Sequence, residues 1–362
     1  MNARIRVDIL VAGLGPAGAT AAAAAARADR RVLAIDRKRQ AGLPVQCAEF
    51  VPAMIGPLLE ADQTAAVRSS WRQGVRAMHT FVEDDAPHLK EHFPGHMIDR
   101  AAFDAALVAA AVAEGAECRF GVGLSSVDTD GTARLSDGRA VEARVIIGAD
   151  GPRSPVGRAI GQVNRELAET RQITIPLLKP FDATDIFLSA RISGGYAWLF
   201  PKADRANLGL GIAPEQRHLL KPLLDDLHRQ LVAEGRVGRD VLGHTGGAIP
   251  VGGMLHPQGE IGRSLVLLAG DAAGLTNPIT GAGINPAVIS GRLAGLAAAE
   301  AVGGTGGACR YAEELEDLFK SSLDRALARR RQLMHVYADG GRPSRDELQR
   351  SWIAFPQYWA AA

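Results

Sequence analysis

The chain of 362 residues is longer than one compact domain commonly runs, so two packed domains, or one with a large insertion, is expected. Apolar residues make up 47% and charged residues 22%, the balance of a folded globular protein and neither a disordered nor a fibrous one. Lys and Arg exceed Asp and Glu by one, which gives no field to gather nucleic acid, and no stretch offers the ~20 consecutive apolar residues of a membrane span, so any membrane contact is expected to be peripheral.

The N-terminus reads as a buried strand from Ile5 to Ala12, a turn from Gly13 to Gly18, an alanine-rich helix from Ala17 to Ala28, and a second strand from Arg31 to Ile35 that ends at Asp36. The turn Gly13-Leu14-Gly15-Pro16-Ala17-Gly18 is a G-x-G-x-x-G between strand and helix with an acid ~20 positions on, the fingerprint of a dinucleotide site. Gly13 permits the tight turn, Gly15 lets main chain approach a pyrophosphate, and Gly18 lets the helix pack closely on the strand. A carboxylate at Asp36 accepts from a ribose hydroxyl and repels a 2′-phosphate, which points to FAD or NAD and away from NADP.

Cys47, Cys118 and Cys309 are far apart and lack metal spacing, so a reducing compartment, the cytoplasm by default, is expected, with neither a disulfide framework nor a metal centre. A helix is expected from Ala101 to Glu114, with Asp99 as N-cap and Gly115 as stop, followed by hairpins at Asp130-Gly131 and Asp137-Gly138. The apolar strand Val145 to Ile147 runs into Gly148-Ala149-Asp150-Gly151, a polar turn at a strand's carboxyl end, where ligands bind in open α/β sheets.

Between Arg171 and Pro250 longer strands follow: Gln172 to Leu178, Asp185 to Ile192, Gly195 to Phe200 and Ala206 to Ile212, read as an inserted antiparallel sheet. Tyr196, Trp198 and Phe200 alternate and so share one face. Strand statistics favour a packed core layer over an apolar ligand wall for them. Another buried strand, Ser264 to Ala269, precedes Gly270-Asp271 and the glycine-rich run Asn277 to Pro286. A helix is then expected from Pro286 to Val302 with Asn285 as N-cap. Arg329, Arg330 and Arg331 fall on a helical pattern and are expected to form a solvated face, and Ser344 with Glu347 forms a capping box.

These segments resemble the glycine-rich, GADG and GD motifs of FAD-dependent hydroxylases and their relatives across about residues 5 to 300. Within that superfamily the chain resembles the geranylgeranyl reductase family through Pro44-Val45-Gln46-Cys47-Ala48-Glu49-Phe50, Ile98-Asp99-Arg100 and Tyr196-Ala197-Trp198-Leu199-Phe200-Pro201. The resemblance implies FAD as cofactor, with Asp36 at its adenosine ribose, Arg100 in contact with it, Asp271 at its phosphate-ribityl region and Gly283 and Ile284 beside the isoalloxazine ring. Gly13, Gly15, Ala17, Gly18, Arg37, Asp150, Pro278 and Gly281 are the further cofactor-binding candidates. It also implies that Cys47 and Ala48 sit on the loop over the flavin, with Cys47 the catalytic candidate by analogy, and that Tyr196, Trp198 and Phe200 form a substrate wall. An inert thiol is the alternative reading of Cys47.

The expected architecture is therefore α/β: a Rossmann-like FAD domain (1–78, 97–165 and 256–303), an inserted antiparallel substrate sheet (79–96 and 166–255) and C-terminal helices (304–362). The expected reaction is reduction of carbon-carbon double bonds in an apolar, isoprenoid-like substrate by hydride from reduced flavin. A transient electron donor is implied: NAD(P)H, ferredoxin or a reductase. Gly281-Ala282-Gly283-Ile284-Asn285 keeps open a monooxygenase acting on an aromatic substrate, because family reductases commonly carry an acid where Ala282 stands. A halogenase is less favoured, since the Trp-x-Trp-x-Ile-Pro of halogenases is here Tyr196, Trp198, Phe200 and Pro201. A non-catalytic flavoprotein is the reading of a different class.

Overall fold

A computed structural model of the chain describes residues 4–58, 67–304 and 307–360. The side chain of Cys309 lies outside the described set. The first sheet has the parallel strands Ser264–Leu268, Ala140–Gly148, Arg4–Ala12, Val32–Asp36 and Glu117–Phe120 side by side in that order, with Gln258–Ile261 antiparallel at one edge. Their register aligns Ala12 with Gly148 and Ile35, and Gly148 with Leu268. The three loops that leave these carboxyl ends therefore open on one edge of the sheet.

Two helices cover this sheet because small residues let them approach. Helix Pro16–Arg27 is almost wholly alanine on its buried side and packs on helix Ile284–Gly303. A Cβ at Gly291 would stand 2.1 Å from the Ala17 carbonyl oxygen, and one at Gly295 2.3 Å from that of Ala21. Backbone is in contact with backbone there, and no larger residue fits.

The second sheet runs in the order Gly243–Thr245, Leu167–Pro176, Arg205–Ile212, Ala197–Lys202, Ala183–Leu188, Ala77–Val82, His88–Lys90. One pairing departs from the expected antiparallel pattern: Ala183–Leu188 lies parallel to Ala77–Val82, a strand supplied from more than 100 residues upstream. The sequence pattern within 171–250 holds no sign of it. Strand Ala183–Leu188 also stops before the expected Ile192, because Glu83 accepts from the Ala190 N–H at 2.7 Å and the chain turns there.

The sheet's two faces separate cleanly. Leu199, Leu208, Leu210 and Ile212 pack under helix Leu220–Ala233, while Ile186, Trp198 and Phe200 pack with Trp352 and Phe355 from the C-terminal segment. That segment is held by the first residue of the arginine run, Arg329. Arg329 and Arg330 are only 4% and 7% exposed, so the expected solvated face is wrong for two of the three. Arg329 donates to the carbonyls of Tyr358 (3.1 Å), Gln357 (3.3 Å) and Ala360 (2.6 Å), and Arg330 donates to that of Gly194. Arg331 alone stays in solvent, paired with Glu166. Guanidinium offers five donors, which lets a buried arginine satisfy the carbonyls at the end of the last short helix, Pro356–Trp359, which no further turn receives. The capping box at Ser344 and Glu347 opens the short helix Arg345–Arg350.

Candidate active site

The first turn is built as its glycines require. Gly13 has φ +97, and a Cβ there would sit 2.2 Å from the Ala149 carbonyl oxygen; a Cβ at Gly18 would sit 1.8 Å from that of Gly13. Gly15 differs, because a Cβ there would meet nothing within 4 Å. The space beside Gly15 faces the N-terminus of helix Pro16–Arg27, which no side chain caps. Uncapped amides at the positive end of a helix dipole, next to a residue with free approach, fit a pyrophosphate. Asp36 closes the turn: its carboxylate accepts from the N–H of Leu14 and of Lys38, each at 2.8 Å. Arg37 follows it, exposed at the strand's end.

The other segments converge on the same edge. Ala149 and Asp150 touch the Gly13 turn, and Gly270 packs between Ala17 and Ala287. Burial pushes the Asp150 carboxyl up to about 6 against hydrogen bonds from Ser154 and the Val156 N–H, and its Oδ1 has no hydrogen-bond partner. Burial also raises the Asp271 carboxyl, opposed by a 2.6 Å hydrogen bond from the Thr276 hydroxyl and by the charge of Arg100. Gly283 lies against both, since a Cβ there would be 2.5 Å from Thr276 Oγ1 and 3.2 Å from Asp271 Oδ1.

The glycine-rich run before the long helix corrects one expectation. The helix is Ile284–Gly303, its N-cap is Gly283, and Asn285 falls in the first turn, buried, with both amide atoms unpartnered. The capping work is done earlier by Asn277, whose Oδ1 accepts from the N–H groups of Ile279 and Thr280 at 3.0 Å each. That asparagine turn shapes the loop carrying Pro278 and Gly281, the latter at φ +67.

The 44–49 loop lies between the two sheets and is tied to the second by side chains that sequence reasoning did not single out. Thr245 donates to the Val45 carbonyl, Gln172 Nε2 to that of Cys47 at 3.1 Å, and Asn207 Nδ2 to that of Ala48 at 3.2 Å. Glu49 adopts φ +68, and its buried carboxylate receives Lys202 (2.6 Å), Asn207 (2.9 Å) and the Arg100 N–H (2.9 Å). The signal for Asn207 was a polar residue at an inward position of a largely apolar strand; Gln172 shares its strand with Glu169, Thr170, Arg171 and Thr174, so no such signal marks it or Glu49. Arg100 is ionised although burial opposes its charge, because Asp104 at 2.7 Å and the Cys47 side chain more than compensate.

Tyr196, Trp198 and Phe200 form one row, with centroids 5.7 Å and 6.3 Å apart. Trp352 joins it 4.6 Å from Tyr196. The Tyr196 hydroxyl donates to the Thr280 carbonyl at 2.6 Å, and Trp198 Nε1 donates to Gln172 at 3.0 Å. The row thus abuts the Asn277–Gly283 loop at one end and shares Gln172 with the Cys47 loop. Phe200 stands farther along, by Phe50.

A family model described as an FAD binding domain matches residues 6–186. Digeranylgeranylglycerophospholipid reductase 1 of Methanopyrus kandleri is 33% identical over 325 residues, which cover 82% of this chain and 81% of the relative. The chain belongs to the geranylgeranyl reductase family of FAD-dependent oxidoreductases. A solved geranylgeranyl bacteriochlorophyll reductase-like protein from Thermoplasma acidophilum superposes with a TM-score of 0.83 at 26% identity, covering 96% of this chain and 90% of that one. A probable FAD-dependent monooxygenase from Pseudomonas aeruginosa shares the fold, with a TM-score of 0.71 at 19% identity, covering 95% and 98%. As a family member the chain is a flavoprotein oxidoreductase whose cofactor is FAD. The open approach at Gly15, the uncapped helix and the convergence of Asp150, Asp271 and Gly283 on one edge are what a dinucleotide of that length requires.

Proposed function

We propose that this protein reduces carbon-carbon double bonds in the apolar chains of an isoprenoid lipid. The observation that carries the reading is the 2.6 Å hydrogen bond from Tyr196 to the Thr280 carbonyl, which starts an apolar aromatic row at the loop assigned to the flavin ring. Such a wall suits a polyprenyl chain, since each buried CH₂ contributes roughly 0.8 kcal/mol without directional demand. The likeness to a phospholipid reductase along four-fifths of both chains supports it.

In this reading the amides of Gly15, Ala17 and Gly18 would hold the pyrophosphate, Asp36 and Arg37 the adenosine end, and Arg100, Asp150 and Asp271 the phosphate-ribityl stretch. Pro278, Gly281, Gly283 and Ile284, with Cys47 and Ala48, would line the ring. FAD, once bound and reduced, would supply the hydride chemistry for one alkene carbon. Cys47 gives its thiol proton to the other carbon, and the resulting thiolate faces the Arg100 guanidinium until solvent reprotonates it. Tyr196, Trp198 and Phe200 hold the alkene and exclude water. The electron donor, whether NAD(P)H, ferredoxin or a reductase, meets the protein transiently.

The test is anaerobic reduction of the flavoprotein followed by stopped-flow mixing with a polyprenyl alkene. Rapid reoxidation with formation of the saturated product is expected. The Gly-x-Gly-x-Asn run and the monooxygenase-like fold favour a second reading, hydroxylation of an aromatic compound. Inertness to alkenes with oxygen-dependent hydroxylation would establish that one and overturn the first.

A further inference from the structure

We infer that the outer edge of the second sheet, from Leu178 through Val241 and Leu242 to Leu43, is the surface on which this protein docks to an anionic lipid bilayer. The inference rests on the proposed lipid substrate: a lipid with polyprenyl chains resides in a bilayer, and no described helix is long and apolar enough to cross one. Access then has to come from a surface that meets the membrane while leading to the site.

Residues 236–245 run along 172–178 as the rim of that sheet. Leu178 N–H donates to the Arg236 carbonyl at 2.9 Å, Gly238 N–H to that of Pro176 at 2.9 Å, Leu242 N–H to that of Thr174 at 2.8 Å, and His244 pairs with Ile173. The rim is roughly 20 Å long at the usual rise of a strand. At its far end Thr245 donates to the Val45 carbonyl, so the rim continues directly into the 44–49 loop over the candidate site.

The side chains on this rim are the opposite of what a sheet edge normally shows to water. Leu178 is 58% exposed, Val241 43%, Leu242 51% and Leu43 38%. Exposed sheet edges are ordinarily blunted by charge or covered, because apolar ones aggregate. Here charges flank the apolar residues along the chain: Lys179, Arg239 and Arg39 are exposed, against the exposed acids Asp240 and Glu234, the carbonyl of the latter accepting from Lys179 at 2.8 Å. Apolar side chains bordered by a cation excess match the interface of an anionic membrane, where hydrocarbon lies beneath phosphate. Two other exposed large apolar residues lie away from this rim: Leu318 is in the C-terminal helical segment, and Trp359, near the end of the chain, has Arg325 over its ring at 5.4 Å.

The test uses the full-length FAD-loaded protein in co-sedimentation with vesicles of phosphatidylglycerol and phosphatidylcholine, and with phosphatidylcholine alone. Binding to the mixed vesicles, weakened by high salt, is expected. Leu242→Glu and Val241→Glu should each lower partitioning about tenfold or more, from the loss of one inserted apolar side chain. Leu318→Glu should leave it unchanged, and flavin absorbance with the melting temperature checks that each variant is folded. Turnover of a short prenyl alkene in detergent should be unaffected by Leu242→Glu, whereas turnover of vesicle-embedded lipid should fall with binding. Unaltered vesicle binding by the rim variants overturns the proposal. So does a parent protein that ignores vesicles and self-associates until Leu242→Glu disperses it, which would make the rim a contact between copies. Salt-sensitive binding lost in the rim variants, with no alkene reduced in any medium, would support the docking surface while sinking the reductase reading.

Discussion

The carboxylate of Glu49 and the ammonium of Lys202 stand 2.6 Å apart across the seam between the 44–49 loop and the second sheet, with side-chain exposures of 8% and 20%. Glu49 also receives Asn207 from the sheet and the Arg100 N–H from the start of the helix after Asp99, so one residue joins three parts of the molecule. Its φ of +68 is uncommon for a residue with a side chain, and this network holds it there.

Removing the charge of Glu49 should therefore be costly. Glu49→Gln leaves Lys202 partly buried without its counter-ion, and a loss of about 2–4 kcal/mol is expected from breaking one side of such a pair. Urea denaturation of the FAD-free protein measures it. A loss below about 0.5 kcal/mol would mean that water replaces the carboxylate and that the seam is not closed.

The two glycines of the first turn should separate packing from ligand approach. Gly18→Ala forces a methyl group onto the Gly13 carbonyl oxygen and should cost about 3 kcal/mol or more in the FAD-free protein. Gly15→Ala meets no protein atom within 4 Å, so the FAD-free protein should melt like the parent. Its FAD affinity, read by flavin fluorescence titration, should drop about tenfold or more, equivalent to ~1.4 kcal/mol. Equal melting and equal FAD affinity in Gly15→Ala would place the pyrophosphate elsewhere.

Why some of this was legible in sequence and some was not follows from the range of the interactions. Gly13, Gly18 and the Asp150 turn are set by strand-turn-helix patterns a few residues long, and the FAD fold could be read from them. The parallel pairing of Ala183–Leu188 with Ala77–Val82 depends on a strand far upstream, which no local period encodes. Asn285 had the right residue type for an N-cap, yet Asn277 shaped the loop and Gly283 started the helix, because close packing on Thr276 left room only for glycine there. Arg329 and Arg330 had the composition of a solvated face; Arg329 is buried against carbonyls of a terminal segment nearly 30 residues later in the chain, and Arg330 against the Gly194 carbonyl far upstream.

That arginine run gives a sharp contrast between neighbours. Arg329→Ala abandons the carbonyls of Gln357, Tyr358 and Ala360 together and should destabilise by about 3 kcal/mol or more. Arg329→Lys should recover only part of this, since a single ammonium cannot reproduce the planar fork. Arg331→Ala removes an exposed pair with Glu166 and should change stability by less than about 0.5 kcal/mol. Thermal melts of the three variants decide the matter; similar melting temperatures for Arg329→Ala and Arg331→Ala would show that the C-terminal turn does not depend on the buried guanidinium.

Asp150 predicts a pH dependence of definite sign. Burial raises its folded-state pKa to about 6, above the unfolded value near 3.9, so between about pH 4 and pH 6 the folded state keeps a proton that the unfolded state has lost. The contribution is fully present below the unfolded pKa, is lost as pH rises through 6, and amounts to roughly 3 kcal/mol at most. Asp150→Asn removes a charge that burial disfavours and cannot titrate. Compared with the parent, the FAD-free variant should gain stability steadily from pH 4 to pH 6 and hold that gain at pH 7.5. Paired urea denaturations at pH 4.5 and 7.5 isolate this difference from every group the two proteins share. A gap that stays constant between the two pH values would mean that the Asp150 carboxylate is solvated in the folded state, and that the turn after Gly148 is open to water without FAD.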